Sequence, residues 1–256
     1  MAAQTHSEAC CTIPPAKAEY TKKGEYVDIA GIKTYVTGST TAKTALILIY
    51  DVFGFSPQIL QGADIISNTH TLHPDHTARV FMPDFLAGNL ADPAWFPPDT
   101  AEKQAAMGRY FGPSGPADAQ KMIGALLSVR EKIGSGEFGQ FEKFGVIGYC
   151  WGAKIAVLTS MADSKFNVAV QLHPSGLDSE DAPKVTIPMC MLASQDEDAA
   201  VVKAFDEALQ VPKFTDTYKD APHGWMTSRT DLSSSKMRAD YEKGYATILS
   251  FLHEHL

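Results

Sequence analysis

Hydrophobic and polar positions along the chain follow two alternating patterns. Short apolar runs rich in β-branched and aromatic residues are separated by stretches in which apolar residues recur every three or four positions. After a hairpin within Glu25–Thr37, the runs predict strands over Thr44–Tyr50, Arg79–Pro83, Phe144–Tyr149, Asn167–Leu172, Ile187–Ala193 and Lys213–Lys219. The helical spacing predicts helices over Pro57–Thr69, Thr100–Phe111, Ala117–Ile133, Gly152–Ala162, Ala199–Leu209 and Met237–His255.

Apolar strands separated by helices are typical of a mostly parallel sheet with helices on both faces. We therefore expect one three-layer α/β domain over residues 25–256. Residues 1–24 lack any period and predict an N-terminal arm. The segment Ala87–Gly115 is rich in Pro, Gly and aromatic residues, which is typical of a lid or binding loop and equally of a surface excursion.

Composition narrows the classes of partner. The 256 residues include 22 Lys and Arg against 30 Asp and Glu, so the net charge of 22 minus 30 is −8. Nucleic acids and anionic membranes need a basic surface, so neither is expected as a partner. The longest apolar run, Ala45–Tyr50, is too short to cross a bilayer, which takes about 20 residues.

Cysteine usage and the N-terminus predict a cytoplasmic protein. The first 20 residues contain no apolar core of the length that a secretory leader needs. Cys10, Cys11, Cys150 and Cys190 match no metal-ligand spacing and no disulfide framework, so we expect them to be reduced. The oligomeric state stays open, a homodimer being one possibility.

The pentapeptide Gly148-Tyr149-Cys150-Trp151-Gly152 lies between a predicted strand and a predicted helix. Gly-x-Cys-x-Gly in this context is the nucleophile-elbow pattern, with cysteine where serine is usual. The tight turn needs small residues two positions before and after the nucleophile, and the following helix directs its N-terminal dipole at the sulfur. The pattern indicates a nucleophilic Cys150; a buried structural cysteine at a turn is the alternative.

An acid and a histidine follow Cys150 in the order expected after a nucleophile elbow. Asp196 comes just after the predicted strand Ile187–Ala193, and His223 lies in a loop after the last strand. We expect the three side chains to meet at the carboxyl edge of the sheet. A helix cap is the alternative role of Asp196, a loop histidine that of His223, and Asp198 is the nearest competitor for the acid.

With these motifs the sequence resembles the dienelactone hydrolase family, the carboxymethylenebutenolidase-like members of the α/β-hydrolase superfamily. The motifs are the elbow, Asp196, His223-Gly224, and the segments Tyr50–Phe55 and Met82–Gly88. The resemblance implies the α/β-hydrolase fold and a Cys-His-Asp triad of Cys150, His223 and Asp196. Such a triad opens small lactones or cleaves small carboxylic esters through an acyl-enzyme, without a cofactor.

The resemblance also implies roles around the triad. The backbone N–H groups of Val52 and Trp151 would form the oxyanion hole. Asp51 occupies a position where the family's bacterial prototypes carry a glutamate near the thiol, so it is the candidate partner for the thiol proton, with a turn-forming aspartate as the alternative.

Substrate recognition in the prototypes uses arginines that hold a substrate carboxylate. Arg109 and Arg229 lie in roughly the corresponding regions, although solvated surface arginines are the commoner case. The aromatic candidates for the pocket wall, with core packing as the alternative, are Phe53, Trp225, Trp95, Phe96 and Trp151.

The cluster His70, His73 and His76 is not expected to bind a metal, because Pro74 interrupts the helical spacing and no cysteine or carboxylate pair completes the set. Two other functions compete with hydrolysis. One is a noncatalytic small-molecule-binding protein that retains the hydrolase pocket, and the other is a thiol redox sensor at Cys150. No triad member is missing, and the sequence places no second cysteine beside Cys150.

Overall fold

The computed structural model describes residues 16–68 and 77–256. Within these ranges the strands form one sheet in the order β1-β2-β4-β3-β5-β6-β7-β8. The strands are β1 (Glu25–Ile29), β2 (Ile32–Thr37), β3 (Thr44–Ile49), β4 (Ala78–Pro83), β5 (Lys143–Tyr149), β6 (Val168–Leu172), β7 (Met189–Ser194) and β8 (Lys213–Tyr218). Strand β2 pairs antiparallel with β1 and β4, and every other pairing is parallel.

Helices cover both faces of this sheet, so the predicted three-layer α/β arrangement is confirmed. They are α1 (Pro57–Ser67), α2 (Ala101–Phe111), α3 (Ala119–Lys132), α4 (Trp151–Thr159), α5 (Ala199–Ala208) and α6 (Ser235–His255). Helix α1 packs against α6, and α3 packs against α4. None of the helices in the described ranges combines the length and hydropathy that a membrane span requires.

The helix starts follow from local side-chain chemistry. Ser56 caps α1 ahead of Pro57, and Thr100 caps α2 by accepting from the N–H of Lys103. The carboxylate of Asp198 accepts from the N–H groups of Ala200 and Val201 at the start of α5. Asp198 is therefore a helix cap.

The proline- and aromatic-rich segment 87–115 contains α2 and a short helical turn over Pro93–Trp95. Ring contacts fold it onto the body of the protein. Trp95 packs edge-on against Tyr110, with 5.6 Å between ring centroids, and Phe96 lies 5.5 Å from Phe53 in the loop after β3. This segment therefore reaches the carboxyl edge of the sheet.

The described part of the N-terminal arm is tied to the same body. Asp64 of α1 accepts hydrogen bonds from the hydroxyls of Tyr20 and Tyr35, at 2.8 and 2.7 Å. Nearer the N-terminus, the backbone N–H of Ala16 donates to the carbonyl of Ser228 at 2.7 Å. The arm thus contacts the segment that follows His223.

Candidate active site

Cys150 occupies the turn between β5 and α4 with φ 54° and ψ −116°. A positive φ is strained for a residue with a Cβ, and such strain persists only where the surroundings impose it. A Cβ at Gly148 would lie 2.0 Å from the carbonyl oxygen of Gly152, and one at Gly152 would lie 2.3 Å from that of Ile49. The predicted steric need for both glycines is confirmed.

Hydrogen bonds fix the backbone of the elbow. The N–H of Cys150 donates to the carbonyl of Leu172, and the carbonyl of Cys150 accepts from Ser175, both at 3.0 Å. The N–H of Ala153, in the first turn of α4, donates to the carbonyl of Cys150 at 3.1 Å, which closes the turn at the start of the helix. Cys150 thus lies at the N-terminus of α4, the end at which a helix dipole favours a negative charge.

The other cysteine of the described sheet has a different environment. Cys190 is fully buried in β7, and burial raises the pKa of its thiol well above the ordinary value. A protonated thiol is a poor nucleophile, so Cys190 is a core residue.

His223 lies in the loop after β8, and its ring is held by a glutamate. Its Nδ1 is 2.7 Å from Oε1 of Glu197, and both side chains are buried. The carboxylate of Asp196 instead accepts from the backbone N–H of His223, also at 2.7 Å. The expected contact between Asp196 and the imidazole is therefore corrected: Glu197 orients the ring and Asp196 anchors the loop.

The reason lies in how the turn after β7 is built. Oε1 of Glu197 also accepts from the hydroxyl of Ser194 at 3.0 Å, and Oε2 accepts from the backbone N–H of Ser194. These bonds turn the glutamate back toward the strand end and the histidine. Asp196 is half-buried at the rim, where its shorter side chain reaches backbone only.

A second histidine, which the sequence analysis did not select, lies beside this pair. His173 directly follows β6 and is fully buried with φ 36°. Its ring centroid is 5.1 Å from that of His223, in an edge-on arrangement, and 5.9 Å from that of Tyr149. Its position right after a buried parallel strand was the available signal, since that is the edge where Cys150 also lies.

The loop after β3 carries the expected oxyanion donor, Val52. The carbonyl of Val52 accepts from the N–H of Ala91 at 3.0 Å, which fixes this residue against the aromatic-rich segment. Just before it, the hydroxyl of Tyr50 donates to Asp84 at 2.6 Å and accepts from the N–H of Leu86 at 2.9 Å. These contacts explain why the two early motifs occur together.

Asp51, in the same loop, is buried with its carboxylate engaged. Oδ1 accepts from the N–H of Phe53 at 2.8 Å. Oδ2 accepts from the hydroxyls of Thr227 and Ser228, at 2.6 and 2.7 Å. These contacts join the loop after β3 to the segment after His223, and a role toward the thiol stays a prediction.

The two candidate arginines lie in different surroundings. Arg229 is buried, and its guanidinium carbon lies 5.4 Å from the ring centroid of Phe53 and 5.7 Å from that of Phe96. One of its nitrogens donates to the carbonyl of His223 at 3.4 Å. Arg109 is exposed in the last turn of α2, where the helix dipole favours a cation. The structure therefore brings Arg229 to the loop that contains His223.

Two of the candidate pocket aromatics are core residues instead. Trp225 stacks on Tyr218 with 4.1 Å between centroids, and a Cβ at Gly244 of α6 would lie 2.5 Å from its ring. Trp225 therefore fills the space under α6, which corrects its assignment to substrate binding. The indole N–H of Trp151 donates to the carbonyl of Ala117 at 3.0 Å, which ties that buried ring to the start of α3.

No group of three or more histidine, cysteine or acidic residues in ranges 16–68 and 77–256 is arranged to hold a metal ion. The His70, His73 and His76 cluster lies outside the described residues, and so do Cys10 and Cys11.

Comparison with known proteins gives a consistent result. Residues 32–256 match the sequence model of the dienelactone hydrolase family. An uncharacterized AIM2 family protein of Schizosaccharomyces pombe is 35% identical over 94% of this chain and 95% of its own length. The human carboxymethylenebutenolidase homolog is 23% identical, with 94% of each chain covered.

Solved structures establish the fold. A putative dienelactone hydrolase from Klebsiella pneumoniae superimposes with a TM-score of 0.60 at 14% identity, covering 87% of this chain and 98% of that one. A soluble variant of the monoglyceride lipase from Saccharomyces cerevisiae gives 0.61 at 11% identity, covering 95% and 98%. The expected α/β-hydrolase fold is confirmed.

Proposed function

Because the chain belongs to the dienelactone hydrolase family, we propose that it cleaves small carboxylic esters or lactones with Cys150 as nucleophile, His223 as base and Glu197 as the orienting acid. One observation carries the proposal. A cysteine in a strained strand-to-helix turn and a buried histidine on a carboxylate follow parallel strands of one sheet, in the chain order of this fold.

The contact with Glu197 decides which ring nitrogen acts as the base. An ionised carboxylate only accepts hydrogen bonds, so Nδ1 carries the proton and Nε2 presents its lone pair. Nε2 then takes the proton of the Cys150 thiol, and the thiolate attacks the carbonyl carbon of the substrate. The imidazolium that forms is stabilised by the carboxylate beside it.

The remaining steps need only the substrate and water. The tetrahedral oxyanion accepts hydrogen bonds from the N–H groups of Trp151 and Val52. When the tetrahedral intermediate collapses, the bond between the carbonyl carbon and the alkoxide oxygen breaks. The alkoxide takes the proton from His223 and leaves as the alcohol. Water, deprotonated by His223, then attacks the carbonyl carbon of the thioester on Cys150. The carbon–sulfur bond breaks, the acid is released, and the Cys150 thiolate regains the proton from His223.

The neighbourhood of Arg229 supports a substrate that carries an anion. A buried guanidinium beside Phe53 and Phe96 offers a charge and two apolar ring faces close to the catalytic loop. A small lactone or ester with a carboxylate would bind there by a charge-assisted hydrogen bond.

The test is a panel of small aryl esters and lactones, hydrolysed by the wild type and by Cys150→Ala. We expect turnover by the wild type and a loss of about 10³-fold or more in kcat for the variant, as when a triad nucleophile is removed. Cys150→Ser should be slower than wild type, since a hydroxyl needs stronger base assistance than a thiol. Activity of Cys150→Ala within about tenfold of wild type would refute the mechanism.

The same panel tests the anion site when it pairs each acidic substrate with a neutral analogue. Arg229→Met keeps the apolar stem and removes the charge, so the acidic substrate should lose about ten- to a hundredfold in kcat/KM while the neutral one changes little. Arg109→Met, at the exposed end of α2, is the matched control. Equal effects on both substrates would remove Arg229 from substrate recognition.

A further inference from the structure

Asp51 joins the two loops that carry the catalytic groups. It directly precedes Val52, the proposed oxyanion donor, and its Oδ2 accepts from the hydroxyls of Thr227 and Ser228, four and five residues after His223. The three side chains are buried. A shift of either loop would therefore lengthen hydrogen bonds to a buried charged group, which are stronger than bonds between neutral groups.

The downstream end of this connection is itself held in place. The side-chain amide of Gln58, in α1, donates to the carbonyl of Thr230 at 3.0 Å, and Ala16 of the arm donates to the carbonyl of Ser228 at 2.7 Å. The hydroxyl oxygen of Thr227 also lies 3.3 Å from the carbonyl oxygen of Gly224. The segment to which Asp51 is hydrogen-bonded is thus a fixed part of the loop that contains His223.

We infer that Asp51 is a positioning residue that sets the distance between the oxyanion donor at Val52 and the base at His223. This inference rests on the proposed function and differs from the family expectation, in which this position serves the thiol. Oδ1 of Asp51 accepts from the N–H of Phe53 in its own loop, and Oδ2 accepts from two hydroxyls of the other loop. It thus acts through the loops that it connects.

Two readouts separate the positioning role from a thiol role in Asp51→Asn. Hydrolysis of a neutral aryl ester requires the oxyanion hole, whereas alkylation of Cys150 by iodoacetamide does not. The positioning role predicts a fall of about ten- to a hundredfold in kcat with KM little changed, and the same alkylation midpoint in Asp51→Asn as in Thr227→Val combined with Ser228→Ala, which breaks the connection but keeps the carboxylate. A midpoint that moves in Asp51→Asn but not in the Thr227 and Ser228 variant would overturn it in favour of the thiol role.

The double variant Thr227→Val with Ser228→Ala removes the same connection from its other end. It should reproduce the loss of kcat, and combining it with Asp51→Asn should add little, because both changes break one interaction. Full additivity would contradict a shared role. The exposed Asp163→Asn is the matched control and should change neither readout.

Amide hydrogen exchange tests the connection without any turnover. Exchange over residues 51–56 and over residues 223–230 should rise together in Asp51→Asn, by about tenfold or more, with the central strands unchanged. A rise in one loop alone, or in neither, would refute the positioning role. If the wild type hydrolyses no substrate faster than Cys150→Ala does, the proposed function is wrong. If both loops nevertheless loosen together in Asp51→Asn, Asp51 still connects them.

Discussion

Glu197 and Asp196 are adjacent carboxylates that contact the same histidine at different points. Glu197 meets the ring at Nδ1, and Asp196 meets the backbone N–H. Replacing a carboxylate by its amide keeps the shape but changes what it offers the ring, and an amide at position 197 can stabilise the wrong imidazole tautomer. The two positions should therefore respond very differently to the same chemical change.

We expect Glu197→Gln to lower kcat for ester hydrolysis by a factor on the order of 10³ to 10⁴, as for a triad acid. Asp196→Asn should cost about tenfold or less, because Asn retains an acceptor for the backbone N–H. Asp198→Asn, at the cap of α5, is the control and should leave kcat unchanged. A larger loss of kcat in Asp196→Asn than in Glu197→Gln would show that Asp196, and not Glu197, is the acid of the triad.

At the level of single residues, motif and chain order were sufficient to place Cys150 in its elbow and His223 in its loop. They were insufficient for the acid, because Asp196, Glu197 and Asp198 are consecutive and spacing cannot tell which one faces the ring. The sequence also does not determine which way the Trp225 side chain points, since a tryptophan after His223-Gly224 suits a pocket wall as well as the core.

At the level of elements, the elbow is the most constrained piece of backbone. A Cβ at Gly148 would meet backbone atoms of Gly152 and Ala153 rather than a movable side chain. The close approach of strand and helix therefore leaves no room for relaxation. Such a site should be far less tolerant than a glycine on an open helix surface.

Gly148→Ala should destabilise the protein by about 3 kcal/mol or more, because β5 and α4 must separate to admit a methyl group. Gly124→Ala is the matched control: it lies exposed in α3 with no atom within 4 Å of its Cβ position, so it should stabilise by up to about 1 kcal/mol. Urea unfolding of both variants measures the difference. Equal stabilities would show that the elbow is looser than the geometry indicates.

The element bounds agree closely with the sequence pattern where a local signal marks the end. Strand β3 begins at Thr44 and α1 at Pro57, as expected. The agreement is poorer for two other elements. Helix α4 ends at Thr159 instead of Ala162, and β7 runs over Met189–Ser194 instead of Ile187–Ala193. Pro188 supplies no N–H, so the strand begins after it.

For the whole molecule, buried tyrosines link stability to alkaline pH. Burial raises the pKa of Tyr35, Tyr50, Tyr149, Tyr241 and Tyr245 above the ordinary value near 10. Tyr149 and Tyr245 share a hydrogen bond of 3.2 Å between the sheet and α6. These groups stay protonated in the folded state at a pH where the unfolded chain begins to lose their protons.

Stability should therefore be unaffected by these groups below about pH 10 and fall as the pH rises above it, since the unfolded state then binds fewer protons. Each tyrosine contributes a slope that approaches about 1.4 kcal/mol per pH unit well above pH 10, where the unfolded chain has lost the proton. Urea unfolding between about pH 9 and pH 11 measures the slope, and Tyr245→Phe should reduce the total fall across that range by about 1.4 kcal/mol. An unchanged slope in that variant would exclude Tyr245 from the linkage.

The sheet as a whole illustrates what pattern can and cannot supply. Alternating strands and helices predicted a parallel three-layer arrangement, but the strand order, in which β4 lies between β2 and β3, depends on crossovers that periodicity does not encode. A cytoplasmic location and a homodimer stay predictions.

The proposed mechanism requires that Cys150 forms a covalent acyl intermediate. Intact-mass measurement of the protein mixed rapidly with an activated aryl ester, followed by peptide mapping, tests it most directly. We expect a transient mass increase equal to one acyl group, located on Cys150, absent in Cys150→Ala and longer-lived when Glu197→Gln slows deacylation. Turnover of the ester with no adduct at any stage in Glu197→Gln, or an adduct that persists in Cys150→Ala, would contradict it.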